Sequence, residues 1–379
     1  MSMINFDDRT RQHRLILFCD DTNPEFVKQS NLTRMSRVIT PITAEGVWQG
    51  CYYHNVYSSR RLRSGLQKLI ARVDDNSHFM GSILDMYKFF SFNYIHGDEL
   101  FCFGAARGAY VICALCDFIL DVGLLQGTAL SEFRKYFKMW RSSDPALEYE
   151  KRELVQNELL IDGEKIRIKV LGCFNVVAIP GFWKPEAQDG MMIYQNANHT
   201  RLEYAFHALA MHETNPCFYP VLWNFLPPST ECDPYSDSHF RQDWFRGSRF
   251  NVCGGARSSV LGGAKSSHEP NLLADIPLVW MLARVSEFLQ LTRDELTSSP
   301  STTHDLALKC PILSSSYRPI KIPWISYSGP VTAIQERERQ KAAYGANPFK
   351  TSERLHWSVP YIPADKEYKI FLSGDFESS

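Results

Sequence analysis

The sequence of 379 residues predicts an α/β fold with a mainly parallel sheet flanked by helices. Two observations support this prediction. Several segments are continuous runs of apolar residues, which is typical of strands that helices cover on both faces of a sheet. One such run leads through a glycine-containing turn directly into a helix-like segment, and this order is the βα unit from which parallel sheets are built.

The N-terminal part alternates between strand-like and helix-like segments. The apolar run before Asp20 predicts a buried strand that ends in a turn, and Ser30 or Asn31 can cap the helix that follows. The expected elements are, in order, a strand at residues 14–19, a helix that opens at 30–35, a strand at 50–57 and an aromatic-rich helix at 83–94.

A sharp turn connects the next strand to the next helix. Residues 99–103 predict a strand, 104–108 a tight turn and 109–115 a helix. This arrangement has the geometry of a nucleophile elbow, G-x-S-x-G, in which the central side chain is exposed at the top of the sheet. The central residue here is Ala106, whose methyl group cannot attack a carbonyl carbon.

The second half of the chain continues the alternation. Residues 166–174 predict a further buried strand, and the segment 201–211 predicts a helix. A strand is expected to begin at Asp243 and a helix at Asp275, because Pro277 suits the first turn of a helix. We expect one domain over residues 1–379: a core at about 14–290, a possible lid at about 214–242, which is rich in aromatic residues and proline, and a C-terminal extension at about 291–379.

The composition argues against several classes of partner. With a formal net charge of -1 and an isoelectric point of about 6.8, no overall field favours nucleic acid or an anionic membrane. No segment approaches the ~20 apolar residues that span a bilayer, and the N-terminus lacks the apolar core of a secretory signal. The ten cysteines lie mostly in apolar runs, which favours buried thiols and a cytoplasmic location. Cys113 and Cys116 have CxxC spacing without a second pair, so no metal or other cofactor is expected.

Seven short segments match, in the same order, the motifs of one family. They are 17–22 (family F-C-D-G-T), 30–34 (T-N-V-T-R), 97–110 (G-D…G-F-S-R-G-A-Y), 171–176 (L-G-V-W-D-T), 206–210 (F-H-A-L-A), 244–252 (W-F-P-G-V-H-S-D-V) and 275–278 (D-I-P-L). The sequence thereby resembles the α/β-hydrolase family called domain of unknown function 2235, which includes bacterial type VI secretion phospholipase effectors and many fungal members. The resemblance implies an α/β-hydrolase fold with lid or loop insertions.

The departures from the family pattern fall at the positions that carry its chemistry. The family's serine is Ala106, its histidine is Arg249, and the two aspartates that can complete a triad are Asn175 and Asn251. The family's glycine after the first-strand aspartate is Asp21. The resemblance therefore implies a degenerate triad that cannot work through an acyl-enzyme.

The new carboxylate suggests a different chemistry. Asp20 and Asp21 at one strand end can form an acid and a base, because crowding and partial burial raise the pKa of one partner. Arg249 can hold the ionised partner or bind a substrate oxygen, and His212 is a further proton carrier. The sequence-based hypothesis is a serine-independent enzyme of natural-product biosynthesis, most plausibly an epoxide hydrolase or cyclase acting on a polyketide- or terpenoid-like molecule.

The predicted ligand is a hydrophobic small molecule, and no segment predicts an oligomer interface. Aromatic residues on the candidate pocket and lid loops are Tyr52, Tyr53, Trp183, Phe218, Tyr219, Trp223 and Phe225. The predicted catalytic residues are Asp20, Asp21, His212 and Arg249, and the predicted substrate-binding residues are Thr22, Ala106, Arg107, Asn175 and Asn251.

Two alternative functions stay open at this point. The chain can be a non-catalytic pseudoenzyme that binds a ligand or protein through the former active site, or an ester or lipid hydrolase that carries an inactivating Ala106.

Individual residues also have purely structural interpretations. Asp20 can tie down the strand-end loop by accepting N–H bonds, Arg249 can pair with Asp243 or Glu213, and His207 can be a core histidine.

Overall fold

The computed structural model of the chain describes residues 12–22, 30–57, 67–179, 201–223, 239–254, 272–292 and 353–355, with the backbone alone for 67–78, 272–273 and 353–355. The strands in this part of the chain are β1 (Arg14–Asp20), β2 (Gln49–Asn55), β3 (Glu99–Ala105), β4 (Gly123–Leu125), β5 (Leu160–Asp162), β6 (Ile168–Phe174), β7 (Leu202–Ala210), β8 (Phe240–Phe245) and β9 (Glu353–Leu355). The helices are α1 (Asn31–Val38), α2 (Gln67–Asn93), α3 (Arg107–Asp121), α4 (Phe133–Arg141), α5 (Ala146–Gln156), α6 (Arg249–Cys253) and α7 (Leu272–Val285).

A parallel sheet forms the centre of the molecule, as predicted. Among the described residues its strand order is β2-β1-β3-β6-β7-β8-β9, and every neighbouring pair is parallel. β4 and β5 form a separate antiparallel pair. The sheet therefore belongs to the α/β class that the sequence predicts.

Helices cover both faces of the sheet, and β1 shows how the sequence achieves this. Leu15 and Leu17 pack into the core that α2 to α5 cover, whereas Ile16 and Phe18 pack into the core beneath α1, α6 and α7. Because successive side chains of a strand point to opposite faces, a strand buried on both sides must be apolar throughout.

The strand order reverses direction between β1 and β3. From β1 the chain moves outward to β2, and from β3 it moves to β6 on the other side. In open α/β sheets such a switch point leaves a crevice at the carboxyl ends of the two strands, where ligands bind. Asp20 ends β1 and Ala106 follows β3, so the topology places these two predicted residues at that crevice.

The prediction of a helix at 201–211 is wrong, because these residues form β7. The segment is buried along most of its length and pairs with β6 and β8. A short apolar run that is covered on both faces has no period of two, so the sequence pattern cannot separate it from a buried helix.

Several element boundaries also differ from the predictions. Helix α2 begins at Gln67, sixteen residues before the predicted start at residue 83. Helix α7 begins at Leu272 rather than at Asp275, so Pro277 lies inside the helix. Strand β8 begins at Phe240, three residues before Asp243, and takes in the last three residues of the predicted lid. Residues 224–238 of that lid lie outside the described residues, so the lid stays a prediction.

Candidate functional site

The turn between β3 and α3 has the backbone of a nucleophile elbow. Ala106 has φ 50° and ψ -122°, a conformation that side-chain-bearing residues rarely adopt. Its N–H donates to Phe174 O at 2.9 Å, and its carbonyl accepts from Val177 N–H at 3.1 Å. Both bonds connect the elbow to the end of β6 and hold the strained turn in place.

Two glycines allow the helix to approach the sheet at this turn. A Cβ at Gly104 would lie 2.4 Å from Ala109 Cα, and one at Gly108 would lie 2.2 Å from Cys19 O. Only hydrogen fits at either position, so the glycines that define the sequence motif are required by close packing of α3 against β3 and β1.

Asp20 is fully buried and has a structural set of contacts. Its Oδ1 accepts from the Thr22 hydroxyl at 2.6 Å, and its Oδ2 accepts from the Tyr53 hydroxyl at 2.5 Å and from the Ser30 hydroxyl. Burial raises the pKa of Asp20, and these hydroxyl donors oppose the shift. Asp20 thus ties the end of β1 to the start of α1 and to β2 through these hydroxyls, and it also accepts from the backbone N–H of Asp21.

Asp21 forms a bidentate ion pair with Arg107. Arg107 Nε donates to Asp21 Oδ2 and Nη2 to Asp21 Oδ1, both at 2.7 Å. The expectation that Arg249 holds this carboxylate is therefore wrong: the guanidinium next to the elbow holds it instead. The fork of an arginine matches a carboxylate edge, so the pair fixes the β1 loop against the start of α3.

Asn175 and Asn251 make structural hydrogen bonds. Asn175 Oδ1 accepts from Ala210 N–H at 3.0 Å, and its Nδ2 donates to Phe218 O at 3.3 Å. Asn251 Oδ1 accepts from the Ser248 N–H at 3.0 Å, which caps the short helix α6. Each asparagine thus organises a loop at the carboxyl edge of the sheet without adding a charge.

The two histidines near this edge are held neutral. His207 Nε2 accepts from Val176 N–H at 3.0 Å while Nδ1 lies 3.1 Å from Gln242 Oε1, and burial lowers its pKa to about 3. His212 Nδ1 accepts from Gly247 N–H at 3.0 Å, and burial together with nearby Arg246 lowers its pKa to about 4. His207 is a core histidine as one interpretation proposed, but it lies on a strand.

Arg249 lies at the start of α6, beside aromatic rings. Its Cζ is 3.5 Å from the centroid of the Phe218 ring and 4.4 Å from that of Phe250. The Arg249 N–H donates to Glu213 Oε2 at 3.2 Å, so Glu213 binds the backbone rather than the guanidinium. The alternative partner Asp243 is paired with Arg241 at 2.8 Å, which excludes the proposed pair with Arg249.

The structure brings the elbow, β1 loop and α6 together. Cys253, in the last turn of α6, donates from Sγ to Phe174 O at 3.2 Å, the same oxygen that accepts from Ala106 N–H. Sequence reasoning did not place Cys253 and Ser30 at the site, and it named Glu213 only as a partner of the Arg249 side chain. The sequence predicted Ser30 only as a helix cap. A serine before a helix suggests a cap, but it does not reveal that its hydroxyl also donates to Asp20.

Tyr219 ends the short 3-10 turn at Pro216–Phe218, and the other six predicted aromatic residues separate into three groups. Tyr53 contacts Asp20, and Phe218 packs on Arg249, so both lie at the site. Trp223 is fully buried against His207, and the partly buried Tyr52 stacks on Phe89 at the margin of the core. Trp183 and Phe225 lie outside the described residues.

The arrangement supports binding better than proton transfer. Asp21 is ion-paired and each of the two histidines uses a ring nitrogen to accept from a backbone N–H group, whereas the guanidinium of Arg249 has no ion pair within 4.0 Å among the described residues. In the same part of the chain, no group of three or more His, Cys, Asp or Glu side chains is arranged to hold a metal. None of the helices described there is long and apolar enough to cross a membrane.

Comparison with known proteins gives one family match. A sequence model of the family described as "T6SS, Phospholipase effector Tle1-like, catalytic domain" matches residues 13–284. Two solved structures are similar to this chain. The first is an uncharacterised protein from Pseudomonas aeruginosa, at 16% identity and a TM-score of 0.42, and the match covers 74% of this chain and 46% of that chain. The second is a Tle1 effector bound to the VgrG spike of a type VI secretion system, at 14% identity and a TM-score of 0.32, and the match covers 66% of this chain and 53% of that chain. This chain thus spans about half the length of each. A search of curated proteins finds no match.

Proposed function

Since this chain belongs to the family of Tle1-like phospholipase effector catalytic domains, we propose that it binds a lipid ester at the elbow and does not hydrolyse it through an acyl-enzyme. The observation that carries this proposal is the elbow itself. Its strained backbone at Ala106 is kept, with φ 50°, although the residue has no nucleophilic atom. Strain of this kind costs about 1–3 kcal/mol and persists only where the surrounding structure imposes it.

The family match overturns the epoxide hypothesis. The family is one of phospholipase effectors, and neither epoxide opening nor polyketide biosynthesis is its chemistry. Protein groups engage both aspartates that this hypothesis used. Asp20 is bound by three hydroxyls, and Asp21 is bound on both oxygens by Arg107.

Backbone N–H groups of the elbow favour an ester ligand. In α/β-hydrolases the N–H of the residue after the nucleophile belongs to the oxyanion hole, and that residue is Arg107. It also opens the 15-residue helix α3, whose N-terminal end carries a partial positive charge. The Arg107 N–H and the N-terminus of α3 can therefore bind the carbonyl oxygen of an ester, although Ala106 cannot attack it.

Neither Arg249 nor His207 is available as a base at the elbow. Arg249 occupies the position that resembles the family's histidine, and a guanidinium remains protonated at neutral pH. Both ring nitrogens of His207 are engaged, by Val176 and by Gln242. A hydroxyl introduced at Ala106 would therefore remain a weak nucleophile.

The proposal is tested by measuring binding and turnover separately. The chain is incubated with dihexanoylglycerol, a soluble diester, while calorimetry records binding and titration records fatty-acid release. We expect binding without release. Ala106→Leu should weaken binding at least tenfold because the side chain fills the elbow, whereas Ala146→Leu, on the exposed start of α5, should not.

The Ala106→Ser variant distinguishes the remaining alternative, a hydrolase disabled at one position. We expect this variant to bind the diester and still release no fatty acid. Ester turnover by Ala106→Ser would show that a base is present and would favour the disabled hydrolase. Turnover by the unmodified chain, or equal binding by Ala106→Leu, would exclude the proposal.

A further inference from the structure

The guanidinium of Arg249 has no hydrogen-bond partner among the described residues, and its Nε is buried from solvent. At the same edge of the sheet, Arg107 is bound to Asp21. A buried N–H without a partner costs about 1–3 kcal/mol, and more in a charged group, so such a group requires an explanation.

The position of this guanidinium is fixed from two sides. Phe218 and Phe250 pack against it with ring centroids 3.5 Å and 4.4 Å from Cζ, a cation–π geometry. Glu213 Oε2 accepts from the Arg249 backbone N–H, while Glu213 Oε1 accepts from two further backbone N–H groups, of Thr214 and Asn215. The side chain is thus held in place by groups that leave its own donors unused.

The nearby carboxylates do not satisfy this charge. Both Asp21 oxygens are taken by Arg107, and both Glu213 oxygens are taken by backbone N–H groups. Neither forms an ion pair with Arg249 within 4.0 Å. Burial lowers the pKa of Arg249, as expected of a cation that lacks a counter-ion.

A ring contact followed by hydrogen bonds connects this guanidinium to the elbow. Phe218, whose ring it contacts, accepts through its carbonyl from Asn175, the residue after β6. The preceding residue, Phe174, accepts both from Ala106 N–H and from the Cys253 thiol of α6. Arg249 therefore borders the same crevice as the elbow.

We infer that Arg249 is the oxyanion-binding residue of this crevice and takes a phosphate group. The inference rests on the proposed function, because it assigns the charged part of the same ligand. A planar guanidinium with free donors binds two oxygens of a phosphate at once, which a histidine at this position could not do. In place of a base that moves a proton, the chain has a fixed cation that recognises charge.

Three probes test the inference by calorimetry at low ionic strength: dihexanoylphosphatidylcholine below its micelle concentration, dihexanoylglycerol, which has the same acyl esters without phosphate, and inorganic phosphate. Arg249→Gln should weaken binding of the phosphatidylcholine at least tenfold and leave binding of dihexanoylglycerol unchanged. Arg249→Lys, which keeps the charge without the fork, should bind at an intermediate level. Arg152→Gln on the exposed face of α5 is the control for loss of one charge.

The outcomes separate this inference from the proposed function. Binding of inorganic phosphate that Arg249→Gln abolishes, without binding of either lipid, would support the anion site with free phosphate as its ligand and exclude the lipid-ester proposal. Equal binding of both lipids that Arg249→Gln does not change would overturn the inference and leave the lipid-ester proposal intact. A variant that unfolds, as judged by its circular dichroism, is replaced in this comparison by Arg249→Lys.

Discussion

Adjacent aspartates at the end of β1 have opposite environments. Asp20 is enclosed by three hydroxyl groups, whereas Asp21 faces the guanidinium of Arg107. Asp20 is the last residue of β1 and contacts β2 and the start of α1, whereas Asp21 follows the strand and contacts the start of α3. Their proximity in sequence therefore does not make them an acid–base pair.

The Asp21–Arg107 pair should contribute to stability. The Asp21 side chain is 1% exposed and that of Arg107 26% exposed. Arg107→Gln leaves a buried carboxylate unpaired and should lower the free energy of unfolding by about 3 kcal/mol. The double variant Asp21→Asn, Arg107→Gln should lose clearly less than the sum of the single variants, as measured by urea denaturation. Additive losses would contradict a direct interaction.

His212 should make stability dependent on pH. Its pKa is lowered from 6.5 in the unfolded chain to about 4 in the folded protein. Between these values the unfolded chain binds a proton that the folded protein excludes, so stability falls as the pH decreases from 6.5 to 4. His212→Gln should reduce this slope by up to about 1.4 kcal/mol per pH unit, while a glutamine oxygen can still accept from Gly247 N–H. An unchanged slope in urea titrations would refute the shift.

At the scale of elements, the site depends on how closely α3 approaches the sheet. Gly104 and Gly108 remove the side chains that would separate the helix from β3 and β1. This close approach requires the strained backbone conformation of Ala106. The N-terminus of α3 therefore lies at the crevice. The elbow is thus a property of three elements and not of one residue.

Substitution of Gly108 tests this dependence. A methyl group there meets the Cys19 carbonyl at 2.2 Å, and backbone cannot move aside, so Gly108→Ala should lower the free energy of unfolding by about 3 kcal/mol. Gly81→Ala in α2 is the matched control, because nothing lies within 4 Å of its Cβ. That control should stabilise the protein by about 0.5–1 kcal/mol. Similar effects of both changes in thermal unfolding would argue against close packing at the elbow.

At the scale of the whole molecule, strands that are far apart in the sequence are neighbours in the sheet. Strand β9 pairs with β8 through residues 242–244, although more than a hundred positions separate the two strands. The segment predicted as an extension at 291–379 therefore supplies part of the sheet. An uncovered edge of β8 would present unpaired N–H and C=O groups to other chains.

Removal of β9 should consequently destabilise the protein. A chain that ends at residue 292 should unfold at a temperature several degrees lower and aggregate more readily than one that ends at residue 360, which retains Glu353–Leu355. Light scattering during thermal unfolding measures both effects. Identical behaviour of the two chains would show that β9 does not protect the sheet edge.

The predictions that succeeded depend on local patterns. The strand, turn and helix around Ala106 were predicted because glycine spacing and apolar runs follow directly from local geometry. The prediction at 201–211 failed because burial on both faces removes the period that distinguishes β7 from a helix. The structure places Asp20, Asp21, Ala106 and Arg249 near one edge of the sheet, with partners that the sequence did not predict.

The sequence by itself determined the α/β class, the elbow without a nucleophile and the family to which the chain is similar. These features depend on residue types at fixed spacings, which are properties of the chain alone. Only the tertiary structure decided that Arg107 neutralises Asp21 and that the Arg249 guanidinium has no hydrogen-bond partner within the described part of the chain. Charge pairing depends on distances between residues far apart in the chain, and these distances exist only after the strands have packed side by side.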